Sequence, residues 1–388
     1  MPIHTEFIPF HKPTIGEEEV RSVVETLKSG WLTTGFKVKS FEEDFARYVG
    51  SKHAIAVNSG TAALHLALDA VGIKEGDEVI VPTMTFTATA EVVLYFKAKP
   101  VLVDCEGDTL NLDSAKIEAA ITPRTKAIIP VHMAGQPCDM DGILKIARKH
   151  DLRVIEDAAH ALPAAYRGRT VGTIGDITCF SFYATKTITT GEGGMATTEN
   201  SKWAERMRIM SLHGISHDAW KRYTKEGSWY YEVLYPGFKY NLTDLAAAIG
   251  SEQLKKCSEF WQARRRIAMI YGKAFAELEA VQVPACPDDV QHAWHLFVVQ
   301  LDLERLKTDR NHFIEVLRKK EIGTSVHFIP LHLHPYYREK FGYKPVDFPT
   351  ASAVFERIFS LPIYPKMSEP DVERVIEAVK TTAQQYRR

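Results

Sequence analysis

Along the first two-thirds of the chain, short apolar runs alternate with longer stretches in which apolar positions recur at helical spacing. The short runs fall at 53–58, 77–82, 99–105, 125–132, 152–158, 177–183 and 194–198. They are apolar on both faces, as strands covered from both sides should be. Between them, 61–71, 87–97, 113–121 and 139–150 carry the spacing of helices packed on one face. The rhythm predicts an α/β fold, a mostly parallel seven-stranded sheet flanked by helices. Ligands of such folds bind beyond the carboxyl ends of the strands.

The pattern changes at about 245, where a long, charged helical stretch runs to 278. Beyond it, strands expected at 293–300 and 324–328 mix with helices at 309–320 and 370–382. This predicts a large domain over 1–250 and a smaller C-terminal α/β domain over 251–388 that includes the connecting helix. The N-terminal segment is expected to pack on the small domain. There is no internal repeat and no low-complexity stretch.

Composition narrows the function. The 388 residues are 45% hydrophobic and 25% charged, an ordinary globular profile, with a formal net charge of -1. That balance gives no electrostatic case for nucleic acid or an anionic membrane as partner. No apolar run approaches the ~20 residues of a membrane span. The N-terminus lacks the basic start and apolar stretch of a secretion signal. Five scattered cysteines without a CxxC pair point to reduced thiols and a cytoplasmic protein.

The candidate chemistry lies at two strand ends. One apolar run ends in Glu156-Asp157-Ala158-Ala159-His160. Another, Phe180-Ser181-Phe182-Tyr183-Ala184-Thr185-Lys186, leads into Gly191-Glu192-Gly193-Gly194. Pyridoxal phosphate (PLP) asks for a lysine amine to form a Schiff base and a carboxylate to pair with its ring nitrogen. Lys186 and Asp157 supply both if they face one pocket. Alone, Lys186 reads as a solvated lysine and Asp157 as a helix cap. The aromatic, glycine-rich setting of Lys186 argues for desolvation, which favours the nucleophilic amine. Asn58-Ser59-Gly60-Thr61-Ala62-Ala63 follows a strand and opens a helix, either as a phosphate cup or as a capped turn. His160, three residues past Asp157, fits equally a contact to the ring hydroxyl and an ordinary hydrogen-bonded histidine. Phe86, at another strand end, fits ring stacking or plain core. His327, His332 and His334 invite a metal, but no Cys, Asp or Glu completes a ligand set and Pro330 breaks the face. The expectation is no metal and a polar wall over a substrate.

These residues together resemble the DegT-type sugar-nucleotide aminotransferases, members of the aspartate-aminotransferase (fold type I) class of PLP enzymes. Ser29–Trp31 with Leu32-Thr33-Thr34-Gly35, Asn58–Leu64, Glu156–His160, Phe180–Phe182, Lys186, Gly191–Gly194 and Tyr240-Asn241-Leu242-Thr243-Asp244 carry the likeness. Within the family, 125–132, 239–244 and 292–297 look most like the members that make UDP-4-amino-4-deoxy-L-arabinose. Tyr183 and the glycine of Asn58-Ser59-Gly60-Thr61 depart from those members. The resemblance implies that Lys186 binds PLP and Asp157 pairs with its ring nitrogen. It places His160 near the ring hydroxyl, Phe86 over the ring, and Ser181 with Gly60, Thr61 and Ala62 at the phosphate. It has Asn241 reach the cofactor phosphate of a neighbouring subunit, so the partner is a second copy in a homodimer. Thr33, Tyr183, His327 and His332 are the candidate substrate contacts.

The activity implied is transfer of an amino group from glutamate, leaving 2-oxoglutarate, to a keto sugar of a nucleotide diphosphate, at C4 with C3 as the alternative. Polysaccharide or lipopolysaccharide biosynthesis is the matching setting. Rival readings are a sugar dehydratase, against which Lys186 argues, and a non-catalytic PLP-binding regulator. A nicotinamide dehydrogenase lacks its GxGxxG. Substrate specificity is expected in the loops 213–235 and 323–337.

Overall fold

The computed structural model describes residues 6–216 and 230–388. Seven strands form the main sheet: β1 (His53–Val57), β2 (Glu78–Pro82), β3 (Lys99–Val103), β4 (Thr125–Ile128), β5 (Arg153–Asp157), β6 (Ile177–Ser181) and β7 (Gly194–Thr198). Their order is β1-β7-β6-β5-β4-β2-β3. All neighbours run parallel except β7, which is antiparallel to both β1 and β6. The reason is the connection. Residues 182–193, between β6 and β7, contain no helix, and a parallel return generally needs a helical crossover.

Alternate strand residues serve opposite layers. Ile55, Val57, Val79 and Val81 join one core cluster; Ala54, Ala56 and Ile80 join the other. Both faces are covered, which is why the strands read as continuous apolar runs. The covering helices are α2 (Phe36–Val49), α3 (Gly60–Ala70), α4 (Ala88–Tyr95), α5 (Met140–Lys149) and α6 (Ser201–Met210), while α1 (Glu17–Ser29) packs against residues 244–255. Where 113–121 suggested one helix, a single turn at Ser114–Ile117 passes into a tighter one at Glu118–Ala120.

The long helix expected over 245–278 is two helices, α7 (Asp244–Lys255) and α8 (Cys257–Phe275). They break at Lys256, whose ammonium is held by Glu18 at 3.0 Å and the buried Glu19 at 2.8 Å. A third core gathers Ile267, Tyr271 and Phe275 of α8 under a small antiparallel sheet, β8 (Val281–Gln282), β9 (Phe297–Leu301) and β10 (Ile358–Leu361). Helices α9 (Arg310–Lys319) and α10 (Glu369–Gln385) complete it. Ile8, from the N-terminal segment, bridges to Ile322 and is buried in the same core. The strand expected at 324–328 is absent. Its segment touches β10 through one bridge, Ser325 to Ser360, and otherwise turns to the cavity described below. All five cysteines are free. Among the described residues no helix is long and apolar enough to cross a membrane.

Candidate active site

A cavity of about 520 Å³ opens beyond the carboxyl ends of β1, β2, β5 and β6. Ser59, Gly60 and Thr61 follow β1; Thr85 and Phe86 follow β2; Asp157 ends β5 and Ser181 ends β6. Lys186 reaches the same cavity from the β6–β7 connection. The strand-end carboxylate, the lysine and the small-residue turn, some 130 positions apart in sequence at the extremes, therefore share one pocket.

The Lys186 backbone is set by a turn, its N–H donating to the Tyr183 carbonyl at 2.9 Å. Loss of water pulls its ammonium down to about 8, against the charge of Asp157, which favours the protonated form. A sizeable share of the amine is thus neutral near physiological pH. Asp157 is buried, and burial raises its pKa. Four features oppose this: the Thr89 hydroxyl donates to Oδ2 at 2.8 Å, the Ala159 N–H donates to Oδ1 at 3.1 Å, and Lys186 and His132 lie nearby.

The preceding residue faces the other way. Glu156 accepts from the Thr178 hydroxyl and the Gly175 N–H, each at 2.7 Å, and meets His132 Nε2 at 2.9 Å. The Cys138 N–H donates to His132 Nδ1 at 3.1 Å, so Nε2 is the nitrogen that carries the proton toward Glu156. This group is fully buried and outside the cavity.

The turn after β1 forms a cradle. Ser59 Oγ accepts the Ala62 N–H at 3.0 Å, which commits that amide to capping. The amides of Gly60 and Thr61, in the first turn of α3, have no intrahelical acceptor and carry the positive end of the helix dipole. Ser181 stands against them. A Cβ on Gly60 would meet Ser181 Cβ at 3.0 Å, and one on Gly194 would meet the Gly60 nitrogen at 2.7 Å. The glycine after Lys186 in the sequence is thus the packing surface that seats the cradle.

The remaining wall is aromatic and neutral. Phe86 is 59% exposed with its ring 5.9 Å from Phe328. The His160 ring packs tilted against that of His295, centroids 4.5 Å apart, and the Nδ1 of each is buried without a hydrogen-bond partner. Burial and the charge of Lys186 hold both well below the usual histidine range; His327 and His11 fall to about 4. His11, His295, Phe328 and Ile363 line the cavity from distant parts of the chain and escaped the sequence reading. The His292-Ala293-Trp294-His295 pair before β9 was the available signal for His295. The cavity fits PLP: free amides with two hydroxyls for a phosphate, a carboxylate for the ring nitrogen and a lysine amine for the aldehyde.

Four expected site residues lie elsewhere. His332 does not wall the cavity; it is buried behind it, between the hydroxyls of Thr83 at 2.8 Å and Ser352 at 2.9 Å. The 3-10 turn Leu331–Leu333 that follows Pro330 carries it there. Ala62 offers no free amide, as noted. Thr33 is exposed and outside the cavity, its carbonyl accepting the Asp244 N–H at 3.1 Å. Asn241 lies in a separate groove with Thr34 and Arg208, donating to Thr34 Oγ1 at 2.6 Å. Both belong to a structural seam: Asp244 accepts the amides of Gly35, Lys37 and Val38 at the start of α2. Tyr183 and His327 do line the cavity. Of the loop 213–235, residues 217–229 lie outside the described residues. Among the described residues no cluster of three metal-ligating side chains forms.

The profile of the DegT/DnrJ/EryC1/StrS aminotransferase family matches residues 13–380. The uncharacterized protein MJ1066 of Methanocaldococcus jannaschii is 57% identical over 385 residues, covering 99% of this chain and 100% of that one. The spore coat polysaccharide biosynthesis protein SpsC of Bacillus subtilis is 53% identical over 375 residues, 96% of each chain. Among solved structures, Spr1654 of Streptococcus pneumoniae, a proposed sugar aminotransferase, superposes in its PMP form with a TM-score of 0.92 at 37% identity, covering 97% of this chain and 99% of that one. Its PLP form superposes with a TM-score of 0.91.

Proposed function

The chain belongs to the DegT/DnrJ/EryC1/StrS aminotransferase family, and we propose that it uses PLP to move the amino group of glutamate to C4 of a keto sugar carried on a nucleotide diphosphate. The observation that carries this reading is the convergence of Lys186 and Asp157 in one cavity that has an anion cradle at its other wall.

Bound PLP supplies an aldehyde that takes up the donor's nitrogen and a protonated ring that draws electrons from the bond being broken. The protein's residues do the rest. The Lys186 amine holds the cofactor and, once displaced by the donor, serves as base and then acid for the proton that leaves the substrate carbon. Its lowered pKa keeps enough neutral amine for both tasks. Asp157, ionised, keeps the ring nitrogen protonated. His160, which lines the cavity, sits beside the ring hydroxyl. Gly60, Thr61 and Ser181 hold the phosphate, and Phe86 covers the ring. Tyr183 and His327 face the sugar. The neutral histidines exclude water without competing for the substrate's negative charge. Thr33 and Asn241, which lie outside their own cavity, act on the cavity of a second copy in a homodimer.

The test is a half-reaction. The PLP-loaded protein is converted to its amine form with glutamate, then offered a panel of nucleotide-linked 4-keto and 3-keto sugars. Recovery of the aldehyde absorbance with a 4-keto sugar supports the reading. Recovery only with a 3-keto sugar moves the aminated carbon, and no conversion by glutamate removes the donor assignment.

A further inference from the structure

The Asp157 carboxylate is held from behind by a threonine of another strand–helix unit, which a second threonine backs in turn. Thr89, on α4 and fully buried, donates to Asp157 Oδ2 at 2.8 Å. Its hydroxyl lies 2.7 Å from that of Thr85, which is also buried and lines the cavity. With Asp157 ionised, the single proton of Thr89 points at the carboxylate. Thr85 must then give its own proton to Thr89 Oγ1, which makes a directed relay, Thr85 to Thr89 to Asp157. Each hydroxyl polarises the next and strengthens the bond to the charge. A helical threonine ordinarily satisfies its hydroxyl on the carbonyl one turn back. Thr89 instead spends it on a residue 68 positions away.

We propose that Thr89, backed by Thr85, is a positioning residue that fixes the Asp157 carboxylate in orientation and charge, and through it sets the protonation of the cofactor's ring nitrogen. The proposal rests on the reading that the cavity holds PLP. Two acceptor sites of the carboxylate are taken by Thr89 and Ala159, which leaves the others for a donor in the cavity. Burial raises the Asp157 pKa and the Thr89 bond opposes it, so losing that hydroxyl weakens the charge that holds a proton on the ring.

The experiment loads the full-length protein with 15N-labelled PLP and reads the ring-nitrogen signal by NMR. Unchanged protein, Thr89→Val, Thr89→Ser and Thr85→Val are compared, with the glutamate half-reaction followed in parallel. The expected result is a protonated ring nitrogen in unchanged protein and in Thr89→Ser. In Thr89→Val the signal moves toward the unprotonated position, and the half-reaction slows about 10-fold with glutamate affinity unchanged, the effect of one hydrogen bond to a charge. Thr85→Val moves in the same direction by about 3-fold. A role confined to fold stability would lower the melting temperature of the apo-protein and leave the ring signal where it was. An unchanged ring signal in Thr89→Val overturns the proposal. Should that variant not fold, Thr85→Val decides, and an unchanged signal there overturns it equally. Unchanged protein that binds no PLP would instead remove the reading beneath the proposal.

Discussion

Glu156 and Asp157 are consecutive acids at the end of β5, both buried, and they meet opposite fates. Glu156 turns into a closed group in which His132, Thr178 and Gly175 meet its oxygens. Asp157 turns into a cavity where acceptor capacity is left over. Burial by itself does not separate structure from function in this molecule. For these two acids the difference is whether the carboxylate's acceptor capacity is filled inside the protein or left over toward the cavity. Thr178 and Cys179, next to each other on β6, repeat the contrast: one tied to Glu156, the other lining the cavity.

That contrast can be broken from either side. The largest effect is expected from Lys186→Ala. Turnover should fall by at least about 10³-fold, since nucleophile and proton carrier are lost together. The melting temperature should hold or rise, because a poorly solvated ammonium has been removed. Assays of both quantities on one preparation check this, and near-normal turnover would refute the assignment. Next is Glu156→Ala. It leaves three buried donors without an acceptor and should cost about 3 kcal/mol of stability by denaturant titration. The molecules that remain folded should bind PLP with near-normal affinity. If instead cofactor binding vanished with stability intact, the two sides of β5 would not be separable.

A smaller effect is expected from pH. Lys186 loses its proton near pH 8, where an ordinary lysine does so at 10.5. Only the neutral amine captures the aldehyde. The rate of PLP uptake by the apo-protein should therefore climb about 10-fold between pH 7 and 9 and then level off, as stopped-flow absorbance would show. The linkage has the matching sign. Between about 8 and 10.5 the unfolded chain binds a proton that the folded one does not, so the contribution of Lys186 to stability improves as pH rises through that window. The smallest effect is assigned to Ser352→Ala. It removes one hydrogen bond from His332 and should cost about 1 kcal/mol, with turnover within about 2-fold of normal.

The sheet was legible because its strands are apolar on both faces, and its site because sheets of this kind gather chemistry at their carboxyl ends. What periodicity missed has specific causes. The antiparallel run of β7 depends on the missing helix in 182–193, a negative feature with no pattern of its own. The break falls at Lys256, whose partners Glu18 and Glu19 lie far away in sequence. Strand β10, four residues ended by Pro362, lies outside the alternating rhythm that marked the equally short β4, whereas 324–328 looked like a strand and became cavity wall. His332 and His327 read alike in sequence. Only the turn after Pro330 separates a histidine tied to Thr83 from one that opens on the pocket.

The reversed strand β7 also closes the floor of the anion cradle. The floor under Gly60 exists only once Gly194 is seated against it, and that requires the register His53 to Thr198 to close across the sheet. A nascent chain that has emerged only as far as residue 190 already carries the acid, the amine and the turn, yet owns no finished vessel for a phosphorylated vitamin. That vessel is whole only where the reversed strand joins the two halves of the sheet.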